Sequence, residues 1–319
     1  MNTFVIFTLL VVLMLTGMPI SISLGLTVLS FLFFLTQVPI ESVALKLFTG
    51  IEKFEIMAIP FFILAGNFLT HGGVAKRMIR FATSMVGHFH GGLGLGGVLA
   101  CALFAAVSGS SPATVVAIGS ILLPAMIKAG FPNRFGAGVI TTSGALGILI
   151  PPSIVMVMYS VSTNTSVGAL FMAGVIPGIM LAIMLGMTTW YRARRNNYPR
   201  MPKESWAERL KALRESIWGL LLIIIVMGGI YPGMFTPTEA AAMSAVWAFI
   251  CAVFIYKDLG MKDVPRVLLS SANMSAMLLY IITNAVLFSF LTRRATVPQA
   301  SSPARIGAAE FVAGIPVGR

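Results

Sequence analysis

Charge is what this sequence lacks. Asp, Glu, Lys and Arg make up 10% of its 319 residues against 57% hydrophobic, and the mean hydropathy is +0.93. So few solvating side chains cannot cover large aqueous domains, and the chain reads as an all-α polytopic membrane protein. Acids are scarcer than bases, 10 against 22, for a net charge of +12. The bases gather in a few segments between apolar runs, as the positive-inside rule asks of cytoplasmic loops, so the excess does not point to nucleic acid. Cysteine is nearly absent. Cys101 and Cys251 stand alone in apolar runs with no Cys/His cluster at metal spacing, and read as small packing residues. The first apolar run, Phe4 to Leu15, has no base before it and no small-x-small site behind it, which favours a retained helix over a cleaved signal.

Apolar runs fall at 3–17, 18–36, 56–70, 93–107, 112–127, 136–162, 167–191, 217–231, 238–256 and 264–291. Several are too short to cross a hydrocarbon core of about 30 Å at a rise of about 1.5 Å per residue. Two segments are amphipathic instead. Residues 74–90 put Lys76, Arg77 and Arg80 on one side and offer Met78, Ile79, Met85 and Phe89 to the other, the pattern of an interfacial arm. Residues 192–216 carry Arg192, Arg194, Arg195, Arg200, Lys203, Arg209, Lys211 and Arg214, which marks a cytoplasmic linker. Within it Ser205 and Glu208 have capping-box spacing, and Trp206, Leu210 and Leu213 form an apolar stripe. Features on either side of the linker recur at an offset of about 215 residues, the weak internal repetition of transporters built from two related halves. The division expected is a first repeat over 1–191, the linker 192–216, an incomplete second repeat over 217–291, and a non-native or disordered tail over 292–319. Inverted halves need an odd number of crossings each. That favours a turn at Gly17-Met18-Pro19 and a periplasmic N-terminus.

The strongest local signal is the stretch 93–128, interrupted by Ser108-Gly109-Ser110-Ser111-Pro112. Each arm reaches only part of the way through the core, which describes a re-entrant hairpin; two ordinary helices with a Ser/Gly packing face are the alternative. Ser111 before Pro112 fits a helix N-cap. A second interruption, Gly144 to Ser153 with Gly147, Pro151 and Pro152, divides 136–162 into a broken helix, with a plain proline kink as the competing explanation. Irregular backbone at membrane depth survives only beside protein or a water-filled cavity. Neither break contains Asp or Glu, so a cation would be held by neutral oxygens, which fits sodium better than a proton relay. Thr236-Pro237-Thr238-Glu239 has the spacing of a capping box, a structural role preferred to a coupling carboxylate.

Several of these motifs resemble a known family in order along the chain. Ser108-Gly-Ser-Ser-Pro-Ala113, Gly147-Ile-Leu-Ile-Pro-Pro-Ser-Ile154, Tyr159, Ser166-Val-Gly-Ala-Leu-Phe171, Ala173-Gly-Val-Ile-Pro-Gly178 and the stretch Gly229 to Ala241 are similar to the large membrane subunit of tripartite ATP-independent periplasmic (TRAP) transporters. The resemblance implies an inverted-repeat elevator fold and sodium as the coupling ion, with no covalently bound cofactor. It also implies two partners, a small four-helix membrane subunit and a periplasmic substrate-binding protein, and an organic acid of dicarboxylate or sugar-acid type as substrate. Carried onto this chain, Ser108, Gly109, Ser110, Ser111, Gly144, Gly147 and Pro151 form a sodium half-site, partly through backbone carbonyls. Thr141, Ser143 and Ser153 are the candidate substrate contacts. The location implied is the bacterial inner membrane.

By the same offset, elements expected after residue 291 have no counterpart, so the chain reads as C-terminally truncated and inactive in uptake by itself, with a short variant completed by dimerisation as the alternative. A binding-protein-independent sodium/carboxylate symporter of related fold is the second functional reading. An intramembrane enzyme with Ser108 or Ser110 as nucleophile is the third and is not favoured, because no His, Lys or Asp is placed by the sequence to activate either serine. The orientation is directly testable. A cysteine replacing Asn197 should react with an impermeant thiol reagent from the cytoplasmic side only; reaction from outside would invert the topology.

Overall fold

The computed structural model describes residues 2–35, 45, 52–163 and 165–296. Its regular structure is helical, with no strand among the described residues. Helices α1 (Asn2–Leu15) and α2 (Ile20–Leu35) are apolar on all sides, and the chain between them turns where Gly17 takes φ +82° ahead of Pro19. Six helices among the described residues are long and apolar enough to cross a membrane, or seven if one bent pair counts as a span. The chain is a polytopic membrane protein.

The described residues divide into two units. One contains α1, α2 and the last helix from Ala276 onward. Its core is Ile6, Val28, Phe31, Leu32 and Leu287, with the Phe7 and Phe288 rings edge-to-face at 5.6 Å.

The second unit runs from Phe54 to Ser275. A 3-10 turn, Phe54–Met57, leads into α3 (Ala58–His71) and the amphipathic α4 (Val74–Val86). After these come α5 (Gly92–Ser108), α6 (Ser111–Lys128), α7 (Asn133–Gly144), the single turn α8 (Leu146–Leu149) and α9 (Ile154–Thr163). Three long helices follow: α10 (Val167–Arg195), α11 (Trp206–Ile230) and α12 (Pro237–Ile250), the last continued by a π turn over Cys251–Ile255. Helix α13 (Val264–Thr296) passes from this unit into the other. Helices α3 and α12 lie together, with Phe68 and Phe249 edge-to-face at 5.4 Å and the Thr238 hydroxyl donating to Phe54 O at 3.2 Å. Asn67 Nδ2 donates to Ser271 Oγ at 2.8 Å, a buried bond tying α3 to α13.

Helix α4 buries Val74, Ala75, Met78, Ile79 and Ala82 against α5 and α11. Its opposite side carries the bases: Arg77 pairs with Asp258, and Arg80 with Glu215 at 2.7 Å and Glu208 at 3.3 Å. The expected apolar face is therefore correct at Met78 and Ile79. Met85 and Phe89 depart from it, being 37% and 46% exposed. Met85 lies in the helix's last turn; Phe89 follows its end at Val86, beyond which the 3.6-residue period no longer places side chains. The basic stretch 192–216 is the end of α10, a connection over 196–205 and the start of α11, where Trp206 and Leu210 stand exposed. At the other end, α13 runs past the expected limit at Leu291 to Thr296, because nothing from Thr292 to Thr296 breaks a helix and the next proline is Pro298. The rest of the expected tail, 297–319, lies outside the described residues.

Capping is realised where its spacing occurs. Glu239 N donates to Thr236 Oγ1 at 3.3 Å, and Thr236 N donates to Glu239 Oε2 at 2.8 Å, a complete box that assigns Glu239 a structural role. At Ser205 only half of the box forms: Glu208 N donates to Ser205 Oγ at 3.3 Å, while the Glu208 carboxylate reaches Arg80. Replacing Thr236 by alanine should lower stability by about 1 kcal/mol, with serine restoring most of it. Thermal unfolding in detergent measures this, and an unchanged midpoint for Thr236→Ala would show that α12 does not depend on its cap.

Candidate functional site

Two interruptions meet in the second unit. Helices α5 and α6 form an antiparallel hairpin, since a Cβ on Gly97 would lie 2.6 Å from Leu122 Cδ2 and one on Gly94 3.7 Å from Met126 Cε. At its tip Gly109 adopts φ +61° and its amide donates to Ala105 O at 3.0 Å, closing α5 in a left-handed C-cap. Ser110 is extended and is the N-cap of α6, whose first turn contains Pro112. The sequence had pointed to Ser111 as the cap. The difference arises because proline is tolerated anywhere in the first turn, where the amides lack partners, so its position does not fix the cap to one residue.

Ser110 caps with its carbonyl and not its hydroxyl. Thr114 N and Thr114 Oγ1 both donate to Ser110 O, at 3.0 and 2.9 Å, and Thr114 Oγ1 also lies 3.0 Å from Ser108 Oγ. Ser108 and Thr114 are buried. With its hydroxyl partnered by another hydroxyl and no base beside it, Ser108 lacks the activation that a nucleophile requires.

The second interruption separates α7 and α8 from α9, which are bent by 42° across Ile150 to Ser153. This break lies on the hairpin tip. Ile154 N donates to Gly109 O at 3.1 Å, a backbone bond between the two irregular segments. A Cβ on Gly109 would come within 2.7 Å of Pro152 O, and one on Gly147 within 2.9 Å of Ser110 C and Ser111 N. Glycine is required at both places because the opposing atoms are backbone and cannot swing aside. From α3, Gly66 also faces the tip, 3.3 Å from Ser108 O when a Cβ is placed on it.

The oxygens here are hydroxyls and carbonyls. Ser143 and Ser153 are both 0% exposed, and neither hydroxyl has a hydrogen-bond partner in the structure. An unmatched hydroxyl in an apolar interior costs about 1–3 kcal/mol. No cluster of three or more His, Cys, Asp or Glu that could hold a metal occurs among the described residues.

The structure thus brings Ser108, Gly109, Ser110 and Ser111 together with Gly144, Gly147 and the proline pair. The carbonyl facing Gly109 is that of Pro152, and Pro151 before it is buried. Thr141 is exposed on α7, two positions from buried Ser143 and so near the opposite side of the helix. Thr114 and Gly66 escaped the sequence reading. Thr114 was legible in principle, four residues after Ser110 in a helix's first turn, where a hydroxyl bonds back to the carbonyl. Gly66 carried no local signal.

Residues 7–308 match the family described as "Tripartite ATP-independent periplasmic transporter, DctM component". The chain is 73% identical over 314 residues to the C4-dicarboxylate TRAP transporter large permease protein DctM of Rhodobacter capsulatus, covering 94% of this chain and 71% of the relative. It is 50% identical over 277 residues to the protein of the same description from Pseudomonas aeruginosa, covering 87% and 65%. To the sialic acid TRAP transporter large permease protein SiaM of Vibrio cholerae it is 35% identical over 287 residues, covering 90% and 67%. The chain thus spans about two thirds of the length of such relatives.

The seal between tip and break can be tested with a thiol. In a background lacking Cys101 and Cys251, a cysteine at Ser153 should label slowly, and adding Gly147→Ala should accelerate labelling about tenfold or more, the opening that ~1–3 kcal/mol of overpacking gives. Equal rates with and without Gly147→Ala would show that this contact does not close the site.

Proposed function

The chain belongs to the DctM family of tripartite ATP-independent periplasmic transporters, and from that premise we propose that it is the membrane subunit of a sodium-coupled, binding-protein-dependent uptake system for organic acids. It transports and does not catalyse; the family consists of permeases. Four-carbon dicarboxylates are the favoured substrates, because the relatives at 73% and 50% identity are described as C4-dicarboxylate permeases. Its partners are a small four-helix membrane subunit and a periplasmic binding protein. It resides in the inner membrane with the 192–216 segment cytoplasmic and the N-terminus periplasmic.

The observation that supports the sodium assignment is the pair of buried, unpartnered hydroxyls at Ser143, which adjoins Gly144, and Ser153, which faces Gly109; read from the sequence as substrate contacts, they are taken here as cation ligands. Sodium is a hard cation and exchanges its hydration shell for neutral oxygens. Hydroxyls and irregular-backbone carbonyls at a helix break supply them without the cost of a buried carboxylate. Ser108 to Ser111, Gly144, Gly147 and the carbonyl of Pro152 complete this half-site. Helix α9 opens at Ile154 directly after Ser153; the Ile154 amide is taken by Gly109 O, and the remaining amides of the first turn with their partial positive charge favour a substrate carboxylate at the same junction. Cation and anion in adjacent positions lower each other's binding free energy, which is the physical basis of coupling. Alternating access by an elevator movement of the hairpin and broken helix against fixed helices follows from the family resemblance, and the recurrence at an offset of about 215 residues supports it.

Removing an unsatisfied hydroxyl is close to neutral in the empty protein but removes a ligand from the loaded one. In detergent, sodium and not potassium should raise the thermal midpoint of the wild-type chain. Ser143→Ala should leave the sodium-free midpoint equal or higher and raise the half-maximal sodium concentration about five- to tenfold. Identical sodium responses in wild type, Ser143→Ala, Ser153→Ala and Ser110→Ala would remove the site. For transport, the matched segment grafted into the Rhodobacter capsulatus relative should support sodium-driven dicarboxylate accumulation only with the binding protein present. Accumulation without it would favour an independent symporter.

A further inference from the structure

At the junction between the charged and apolar parts of α11 lies a cavity of about 400 Å³, lined by Arg77, Lys211, Arg214, Glu215, Trp218, Ile255 and Tyr256. Lys211, Arg214, Glu215 and Trp218 are spaced three, four and seven apart, one face of a helix. Arg77 comes from α4, and Ile255 and Tyr256 from the end of the π turn and the residue after it. The acids here are already engaged. Asp258 pairs with Arg77, whose guanidinium also lies 4.0 Å from the centre of the Tyr256 ring, and Glu215 receives Arg80 at 2.7 Å. The Tyr256 hydroxyl donates to Glu215 O at 2.8 Å and accepts from Gly219 N at 3.3 Å, which fixes the ring forming one wall. Lys211 and Arg214 form no ion pair among the described residues. The cavity therefore presents two unneutralised cations over a rigid floor of paired charges and aromatic rings.

We infer that this cavity holds the phosphate of an anionic phospholipid headgroup, with Lys211 and Arg214 as its ligands. The level of the site in the helix selects a lipid over a soluble anion. No charged residue lies between Glu215 and Glu239, so Lys211 and Arg214 sit in the last charged turns before α11 becomes apolar. Trp218, 41% exposed, stands at the changeover, where indole rings settle at headgroup depth. Further round the same helix Ile217 and Ile224 are also exposed. Basic pockets between helices at this depth recognise phosphorylated headgroups through charge and hydrogen bonding together. Such a lipid also clamps α4 to α11, because the cavity draws its walls from both and from the segment after α12.

The test uses the full chain in a neutral detergent, with its thermal midpoint followed against dioleoylphosphatidylglycerol, dioleoylphosphatidylcholine, inorganic phosphate and polyglutamate. Phosphatidylglycerol should raise the midpoint saturably and phosphatidylcholine should not. Lys211→Gln with Arg214→Gln should raise the half-maximal phosphatidylglycerol concentration about thirtyfold, since each base near an anionic headgroup contributes about a factor of five. Lys76→Gln with Lys203→Gln, two bases outside the cavity, should leave it unchanged. Comparable losses in the two double variants, or an undiminished response without Lys211 and Arg214, would overturn the assignment. A response of the same size and residue dependence to inorganic phosphate would make the ligand a free anion. One to polyglutamate without phosphatidylglycerol would make it an acidic protein segment. Either would also refute the lipid.

Discussion

Backbone polar groups in an apolar medium need partners, and the second unit is organised around one place where they find them in each other. The chain breaks its helices twice, at Ser108 to Ser111 and at Ile150 to Ser153, and each break frees amides and carbonyls that hydrocarbon cannot satisfy. The bond from Ile154 N to Gly109 O joins the two, and Gly109 and Gly147 permit the approach. Without that contact each break would be a fault in a membrane helix. With it, both become a wall of fixed dipoles.

The same economy explains why the site is neutral. A carboxylate at this depth would need its own cationic partner to stay ionised, whereas hydroxyls and carbonyls remain polar without charge. Ser108, Thr114 and Ser110 satisfy one another, while Ser143 and Ser153 are left unmatched on the facing segment. One side of the junction is thus internally hydrogen-bonded, and the other carries hydroxyls without partners.

The ion pairs among the described residues gather on the arm α4. The arm α4 buries a Val, Ala, Met and Ile face and holds itself to α11 and Asp258 through Arg77 and Arg80. Exposed ion pairs of this kind contribute little each, roughly 0–1 kcal/mol. Their effect is to set which acids are consumed, and hence which bases remain available, as Lys211 and Arg214 do.

Much of this was legible in the sequence because its causes are local. A turn at Gly17 to Pro19, a capping box at Thr236 to Glu239, a hairpin tip at Ser108 to Ser111 and a break before Ser153 each depend on residues within a few positions of one another, and low charge with repeated apolar runs determined a polytopic helical protein. Local pattern did not decide between neighbours that fit alike, as Ser110 and Ser111 do for the cap. It failed where a helix ended sooner or later than its neighbours suggested, as at Phe89 and Thr296. Tertiary structure decided what lies against what. Gly66 reaching Ser108, Ser143 and Ser153 left without partners, Arg77 taking Asp258 and thereby leaving Lys211 and Arg214 unneutralised are outcomes of packing between segments tens to hundreds of residues apart. No periodicity encodes them, because contact and burial belong to the folded arrangement and not to the order of residues along one helix.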